Sequence, residues 1–221
     1  MDLRRPRVTA AFAQSLDGKI AFHKGRTNIS SAVGHKRAHV LRSTHDAIVV
    51  GVGTVRSDNP QLTVRHGIQP TKDLLRVVLS STLEVPSDAR ILEATKSLVI
   101  VGTRERATPE SAERLQRQGV EHWHVPQCST QRVDLKKLAP LLREKRGIES
   151  VLVEGGSTVL TSFFNSELVD RVEIEVAPSL FGDHGTPSVA VLSKRVRIEN
   201  IESECIDGHH FIRGDVRYAD S

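Results

Sequence analysis

The sequence predicts an α/β fold: a mostly parallel central sheet flanked by helices, with an antiparallel C-terminal edge. Three observations carry that reading. Short apolar runs of strand length recur at Ala47–Val50, Arg76–Leu79, Leu98–Val101 and Ser150–Glu154. Stretches with helix start and stop signals fall between several strand candidates. The chain then ends in two extended runs, Val196–Ile206 and His210–Tyr218, either side of Asp207-Gly208, a hairpin signal. Strands alternating with helices, then an all-β finish, imply a sheet parallel in its centre and antiparallel at one edge. In such sheets a ligand sits over the strand carboxyl ends.

Arg7–Gln14 mixes Val, Thr, Ala and Phe and reads as the first strand. It runs into Ser15-Leu16-Asp17-Gly18-Lys19, a turn built on Asp-Gly, and Ile20-Ala21 resumes a short strand. Lys19 on that loop is either a surface lysine or a cation facing a polar ligand. Ser30-Ser31 can cap a helix running to about Arg42, with Val33, Val40 and Leu41 on its buried face. His35 and His39 have zinc-ligand spacing. The residues between them, Lys36-Arg37-Ala38, supply no glutamate, and the basic pair disfavours a cation, so both read as solvated.

The rest of the chain is organised around Asp46–Arg65, DAIVVGVGTVRSDNPQLTVR. Its strand stops at Gly51-Val52-Gly53, where backbone can approach a ligand closely. Thr54 follows at a helix N-cap position, then a polar turn at Ser57-Asp58-Asn59-Pro60 and a second extended piece ending in Arg65. The stretch is either a ligand site at a strand's carboxyl end or an ordinary strand–turn–strand connection. It is not the G-x-G-x-x-G fingerprint, because Arg56 stands where the third glycine belongs.

Gly67–Asp73 is a polar excursion. Arg76–Leu79 ends at Ser80-Ser81-Thr82, hydroxyls that can bond a phosphate or ribose or simply cap a turn. Gly102-Thr103-Arg104 follows Leu98–Val101. Thr108-Pro109 opens a helix that Gly119 ends. Glu121–Val125 is a strand whose His122 and His124 share a face, an incomplete metal site. Leu135–Arg146 reads as a helix in which Pro140 should cause a kink or shift the start. After Ser150–Glu154, Gly155-Gly156 leads into a helix over Ser157–Asn165, where Val159/Phe163 and Leu160/Phe164 are apolar i, i+4 pairs. Strand, glycine pair and helix N-terminus form a phosphate-cradling arrangement; the alternative is a tight turn needing glycine for steric reasons. Arg171–Ala177 is a further strand, and Pro178–Pro187 a glycine-containing loop.

Length and composition bound the function. A chain of 221 residues fits one domain, with a core over about residues 7–218. Hydrophobic content of 38% and charged content of 26% are those of a soluble globular protein; aromatics at 4% leave Val, Leu, Ile and Ala to fill the core. The net charge of +4 is a thin excess, to which Arg4, Arg5 and Arg7 contribute an N-terminal cluster that reads as a solvated terminus or an anion contact. One Trp and one Tyr make a nucleic-acid stacking platform a poor fit. A phosphorylated small molecule suits the charge better. Cys128 and Cys205 form no C-x-x-C, so no zinc ribbon or redox motif is present. No run of transmembrane length and no signal-peptide pattern occurs, so the expectation is a cytoplasmic protein with no membrane partner.

SLDGKIA at Ser15–Ala21, LRSTHDAIVVGVGTVRSDNPQLTVR at Leu41–Arg65, LVEGG at Leu152–Gly156 and LVDRVEIEVAPSLFG at Leu168–Gly182 resemble, in that order, the pyrimidine reductases of riboflavin biosynthesis. The resemblance runs from about Arg7 to Tyr218. It implies a dihydrofolate-reductase-like fold, NADPH as cofactor and a homodimer. It also implies reduction of the ribosyl group of a pyrimidine 5′-phosphate to a ribityl chain, by hydride transfer from nicotinamide C4 to ribose C1′ through a ring-opened imine. By the same resemblance Thr54, Asp58 and Ser81 contact the NADP. The segment from Gly155 through Gly156, Ser157 and Thr158 toward Ser162 holds its pyrophosphate. Arg42, Leu62 and Arg65 match substrate-binding positions, with the two arginines assigned to the 5′-phosphate, where a guanidinium can grip two oxygens. Lys19 and Glu154 match positions at the ribose and pyrimidine and are the catalytic candidates, Lys19 assisting proton transfer in ring opening. Holding C4 against C1′ can supply much of the rate enhancement. Arg104 is a candidate for the NADPH 2′-phosphate by analogy with dihydrofolate reductases; the alternative is a plain loop arginine. Asn28 stands where some bacterial members carry an aromatic residue near the nicotinamide.

The leading expectation is reduction of 2,5-diamino-6-ribosylamino-4(3H)-pyrimidinone 5′-phosphate. The deaminated 5-amino-6-(5-phosphoribosylamino)uracil differs in one exocyclic group and is the close alternative. The zinc deaminase signature, H-x-E with P-C-x-x-C, is absent, so deamination falls to a separate protein. A dihydrofolate or pterin reductase has no use for a phosphate anchor at Arg65. A non-catalytic nucleotide-binding regulator is the reading from another class.

Overall fold

The computed structural model describes residues 5–22 and 27–219; Arg4 lies outside the described residues. In chain order the elements are β1 (Arg7–Ser15), β2 (Lys19–Phe22), α1 (Ala32–Thr44), β3 (Ala47–Gly51), α2 (Val52–Asp58), β4 (Leu75–Leu79), β5 (Leu98–Thr103) and α3 (Pro109–Arg117). They continue with β6 (Glu121–Val125), α4 (Leu135–Arg146), β7 (Ser150–Gly155), α5 (Ser157–Asn165), β8 (Arg171–Ala177), β9 (Gly185–Pro187), β10 (Val196–Ile206) and β11 (His209–Tyr218). Nine strands form one sheet in the order β10-β11-β8-β1-β7-β3-β4-β5-β6. From β8 to β6 every neighbouring pair is parallel, and β11 and β10 close the β8 side as antiparallel strands. β2 and β9 make a separate two-stranded ribbon.

Successive side chains of a strand face opposite sides, and both sides of this sheet are covered, so the central strands are largely apolar. Val49, Val77, Val99 and Val153 pack with Leu138 and Leu142 of α4 and Leu160, Phe163 and Phe164 of α5. Ile48, Val50, Val78, Ile100 and Leu152 face the other way, against Val55 of α2 and Leu115 of α3. The carboxyl ends of β3 and β7 thereby come to lie next to each other over a packed floor.

Several local expectations change. The buried residues of α1 are Gly34, His39 and Ser43, while Val40 is 44% exposed. Leu41 packs against the core as expected, but most of the inner face of this helix meets polar groups, so apolar periodicity misplaces the rest. Gly51 is the N-cap of α2, and Thr54 lies inside the helix. The piece ending in Arg65 forms no strand; Leu62 takes a positive φ and its side chain is buried in the core. α4 keeps its start despite Pro140, because Asp134 caps it by accepting N–H bonds from Lys136 and Lys137. Arg5 is no solvated terminal residue: its guanidinium holds Asp170 through two bonds of 2.8 Å.

Candidate active site

β3 and β7 pair in parallel, with Val50 opposite Gly155. A cavity of about 900 Å³ opens over their carboxyl ends, within the usual size of small-molecule sites. Gly51 to Thr54 form one side of its floor, and Gly155 to Thr158 the other. Gly156 caps α5 with φ 76°, and a Cβ there would sit 2.9 Å from Thr54 Oγ1. Only glycine lets the two strand ends approach this closely. The first N–H groups of α5, on Ser157 and Thr158, have no acceptor within the helix and lie where the cavity begins. With the positive end of the helix they suit an anion.

Arg42 and Glu154 meet in the cavity wall. Arg42 Nε donates to Glu154 Oε1 at 2.7 Å and Nη2 to Oε2 at 2.5 Å, and Nη1 donates to the Thr63 carbonyl at 3.3 Å. Their side chains are 13% and 14% exposed. Burial opposes the guanidinium charge, but the carboxylate more than offsets it, so Arg42 is held above its ordinary value. In this structure the fork of Arg42 is engaged with Glu154 and fixes that carboxylate in place.

The cavity also takes in Asp58 at the end of α2, Ser81 after β4, and Asn28. The Ser81 carbonyl is held by Thr103, through its N–H at 3.0 Å and its hydroxyl at 3.2 Å. It does not take in Lys19, Leu62, Arg65 or Arg104. The stem of Lys19 lies along Gly185, where a Cβ would be 2.6 Å from Lys19 Cγ. Leu62 is 3% exposed, packed under the loop. Arg104 is exposed, and its N–H goes to the Val125 carbonyl. Arg65 is exposed as well, with Nη1 donating to Gln61 Oε1 at 3.2 Å.

Two residues that sequence reasoning missed shape these surroundings. His39, read as solvated, is 5% exposed, and its Nδ1 accepts the backbone N–H of Arg65 at 2.9 Å. Burial, then the charge of Arg42, holds it down to about 4, so it is neutral at pH 7 and can accept. Glu175 in β8 is 6% exposed. Its Oε1 accepts from both the N–H and the hydroxyl of Ser31 at 2.7 Å and lies 2.9 Å from His209 Nδ1. Gly34 makes room for it: a Cβ there would fall 1.9 Å from Glu175 Oε2. No sequence signal marked Glu175, since an acidic residue alternating with Val172, Ile174 and Val176 reads as solvent-facing.

The RibD C-terminal domain profile matches residues 6–209. The chain belongs to that family. It is 32% identical over 217 residues to the 2,5-diamino-6-ribosylamino-4(3H)-pyrimidinone 5′-phosphate reductase of Aquifex aeolicus, covering 96% of this chain and 94% of that one. Identity to the like-named enzyme of Methanothermobacter thermautotrophicus is 38% over 179 residues, 80% of each chain. The solved structure of the Saccharomyces riboflavin biosynthesis reductase Rib7 superposes with a TM-score of 0.78 at 26% identity, over 98% of this chain and 92% of that one. Acinetobacter baumannii RibD superposes with a TM-score of 0.82 at 25% identity; the chain covers 98% of itself but 60% of that longer protein. The chain is therefore an oxidoreductase of the riboflavin-pathway reductase family, with the dihydrofolate-reductase-like fold of its relatives.

Proposed function

We propose that this reductase acts on 2,5-diamino-6-ribosylamino-4(3H)-pyrimidinone 5′-phosphate and uses NADPH to convert its ribosyl group to ribityl. The observation that carries the proposal is the meeting of β3 and β7. It brings a helix N-terminus suited to an anion and a fixed carboxylate to one cavity. The match to reductases named for this substrate, nearly end to end for one and over 80% of each chain for the other, supports the same reading.

A nicotinamide dinucleotide fits the residues present. The close approach of Gly156 to Thr54 leaves a side-chain-free cradle beside the N–H groups of α5, which suits a pyrophosphate. Thr54, Asp58, Ser81, Gly155, Gly156, Ser157 and Thr158 would hold the cofactor. When bound it supplies the hydride. The chain's own residues bind and orient. Glu154, locked by Arg42, presents its carboxylate in one place for the ribityl hydroxyls or the pyrimidine amino groups. Arg65, whose backbone His39 steadies, keeps the 5′-phosphate role that the family resemblance gives it, its side chain standing outside the cavity in this structure. Lys19, whose stem lies along Gly185, is the ammonium that would deliver or hold a proton at the ribose ring oxygen. We also take the chain to work in the cytoplasm as a homodimer, beside a separate deaminase.

The test is oxidation of NADPH, followed at 340 nm, with the diamino and the deaminated substrate in turn. Turnover of the first at well over tenfold the rate of the second supports the proposal. Preference for the uracil would move the enzyme to the other side of the deamination step, and turnover of neither would sink the substrate assignment.

A further inference from the structure

Four arginines line the cavity among the described residues: Arg37, Arg42, Arg132 and Arg213. Three are neutralised. Arg37 Nη2 lies 2.7 Å from Glu204 Oε1, Arg42 is locked to Glu154, and Arg213 Nη2 lies 2.5 Å from Glu202 Oε2. Arg132 has no ion-pair partner among the described residues. It lines the same cavity as the hydroxyl residues Ser81, Ser157, Thr158 and Ser162 and the carboxylate of Asp58. Of the other lining carboxylates, Glu154, Glu202 and Glu204 are taken by arginines, Glu173 by Arg171, and Glu175 by Ser31 and His209.

The backbone carrying Arg132 is firmly built. Beyond β6 the chain makes a tight hairpin in which Gln127 pairs with Val133. The N–H of Cys128 donates to the Arg132 carbonyl at 2.8 Å, that of Gln131 to Cys128 at 2.9 Å and that of Asp134 to Pro126 at 2.9 Å. Val133 and Leu135, at 5% and 3% exposure, anchor the following residues in the core. The guanidinium thus projects from a rigid base. A guanidinium with no ion-pair partner, in a cavity that also offers hydroxyls and free helix N–H groups, is suited to a dianion. The natural match is a phosphate monoester, whose charge exceeds that of each bridging phosphate of a pyrophosphate.

Resting on the dinucleotide reading above, we propose that Arg132 binds the 2′-phosphate on the adenosine half of NADPH and so sets the preference for NADPH over NADH. This takes the role that analogy with dihydrofolate reductases offered to Arg104, which lies outside the cavity. The pyrophosphate remains with the α5 N-terminus.

The test is equilibrium binding without substrate. Dissociation constants for NADPH and NADH are read from nucleotide fluorescence for the wild type, Arg132→Gln and Arg132→Lys, with 2′,5′-ADP and 5′-ADP as competitors. The wild type should favour NADPH over NADH and 2′,5′-ADP over 5′-ADP. Loss of one charge-assisted pair should weaken NADPH by roughly 10- to 100-fold in Arg132→Gln, leave NADH within about twofold, and be partly restored in Arg132→Lys. Because the side chain is exposed, the unfolding midpoint should not move. Equal weakening of both nucleotides would put Arg132 on the pyrophosphate and overturn the proposal. So would no weakening of either. A wild type that binds both nucleotides equally would overturn it while sparing the reductase reading. A wild type that binds neither would remove the dinucleotide reading itself.

Discussion

Replacing Glu154 or Arg42 tests whether the pair is a structural lock or two separate ligand contacts. The two side chains share bonds of 2.7 and 2.5 Å at 13% and 14% exposure. Glu154→Met leaves the guanidinium buried beside only the Thr63 carbonyl. Removing one partner of a buried pair costs about 3–5 kcal/mol, whereas replacing both with apolar groups costs much less. Arg42→Met strands the carboxylate and should fall in the same range. The double variant should lie well short of the sum, giving a coupling energy of about 3 kcal/mol. Urea unfolding of the four proteins at pH 7.5, fitted by linear extrapolation, measures this. Additivity within about 0.5 kcal/mol would mean that the pair is not formed in solution. Arg42 would then be free to grip a phosphate, and leaving that role to Arg65 alone would fail.

Three other outcomes follow from the geometry. Gly156→Ala forces a Cβ into 2.9 Å of Thr54 Oγ1 at φ 76°; it should cost about 1–3 kcal/mol in urea unfolding and weaken NADPH binding at least tenfold, and unchanged binding would exclude this turn from the cofactor site. His39 has a native pKa of about 4, below its unfolded value of 6.5, so the unfolded chain binds more protons between them. Its contribution is complete above pH 6.5 and is lost as pH falls toward 4; between pH 7 and 5 the wild type should lose about 2 kcal/mol more than His39→Gln, and parallel pH profiles would refute the burial argument. Gly34→Ala pushes the Glu175 carboxylate off Ser31; thermal melting should show a loss of about 1–3 kcal/mol, and an unchanged midpoint would mean that the carboxylate has another place to go.

The fold was legible because its signals are local. Apolar runs with turn and cap residues between them marked β3 to β8, and Asp207-Gly208 marked the closing hairpin. Gly155-Gly156 ahead of Ser157 marked the anion-suited helix end for the same reason, since cap geometry is settled by residues adjacent in the chain. The family resemblance added the pairing of Thr54 with that helix. What only the tertiary structure decided are relations between residues far apart in the chain whose charges or volumes must be reconciled. Arg42 finds Glu154 across 112 positions, Ser31 finds Glu175 across 144, and His39 finds the backbone of Arg65 across 26. A polar side chain that looks solvent-facing in its own segment becomes buried when a distant partner satisfies it. No periodicity within the segment reports that partner. Whether a lining arginine is spent or available is likewise a property of the closed cavity, set by which carboxylates the fold brings within reach.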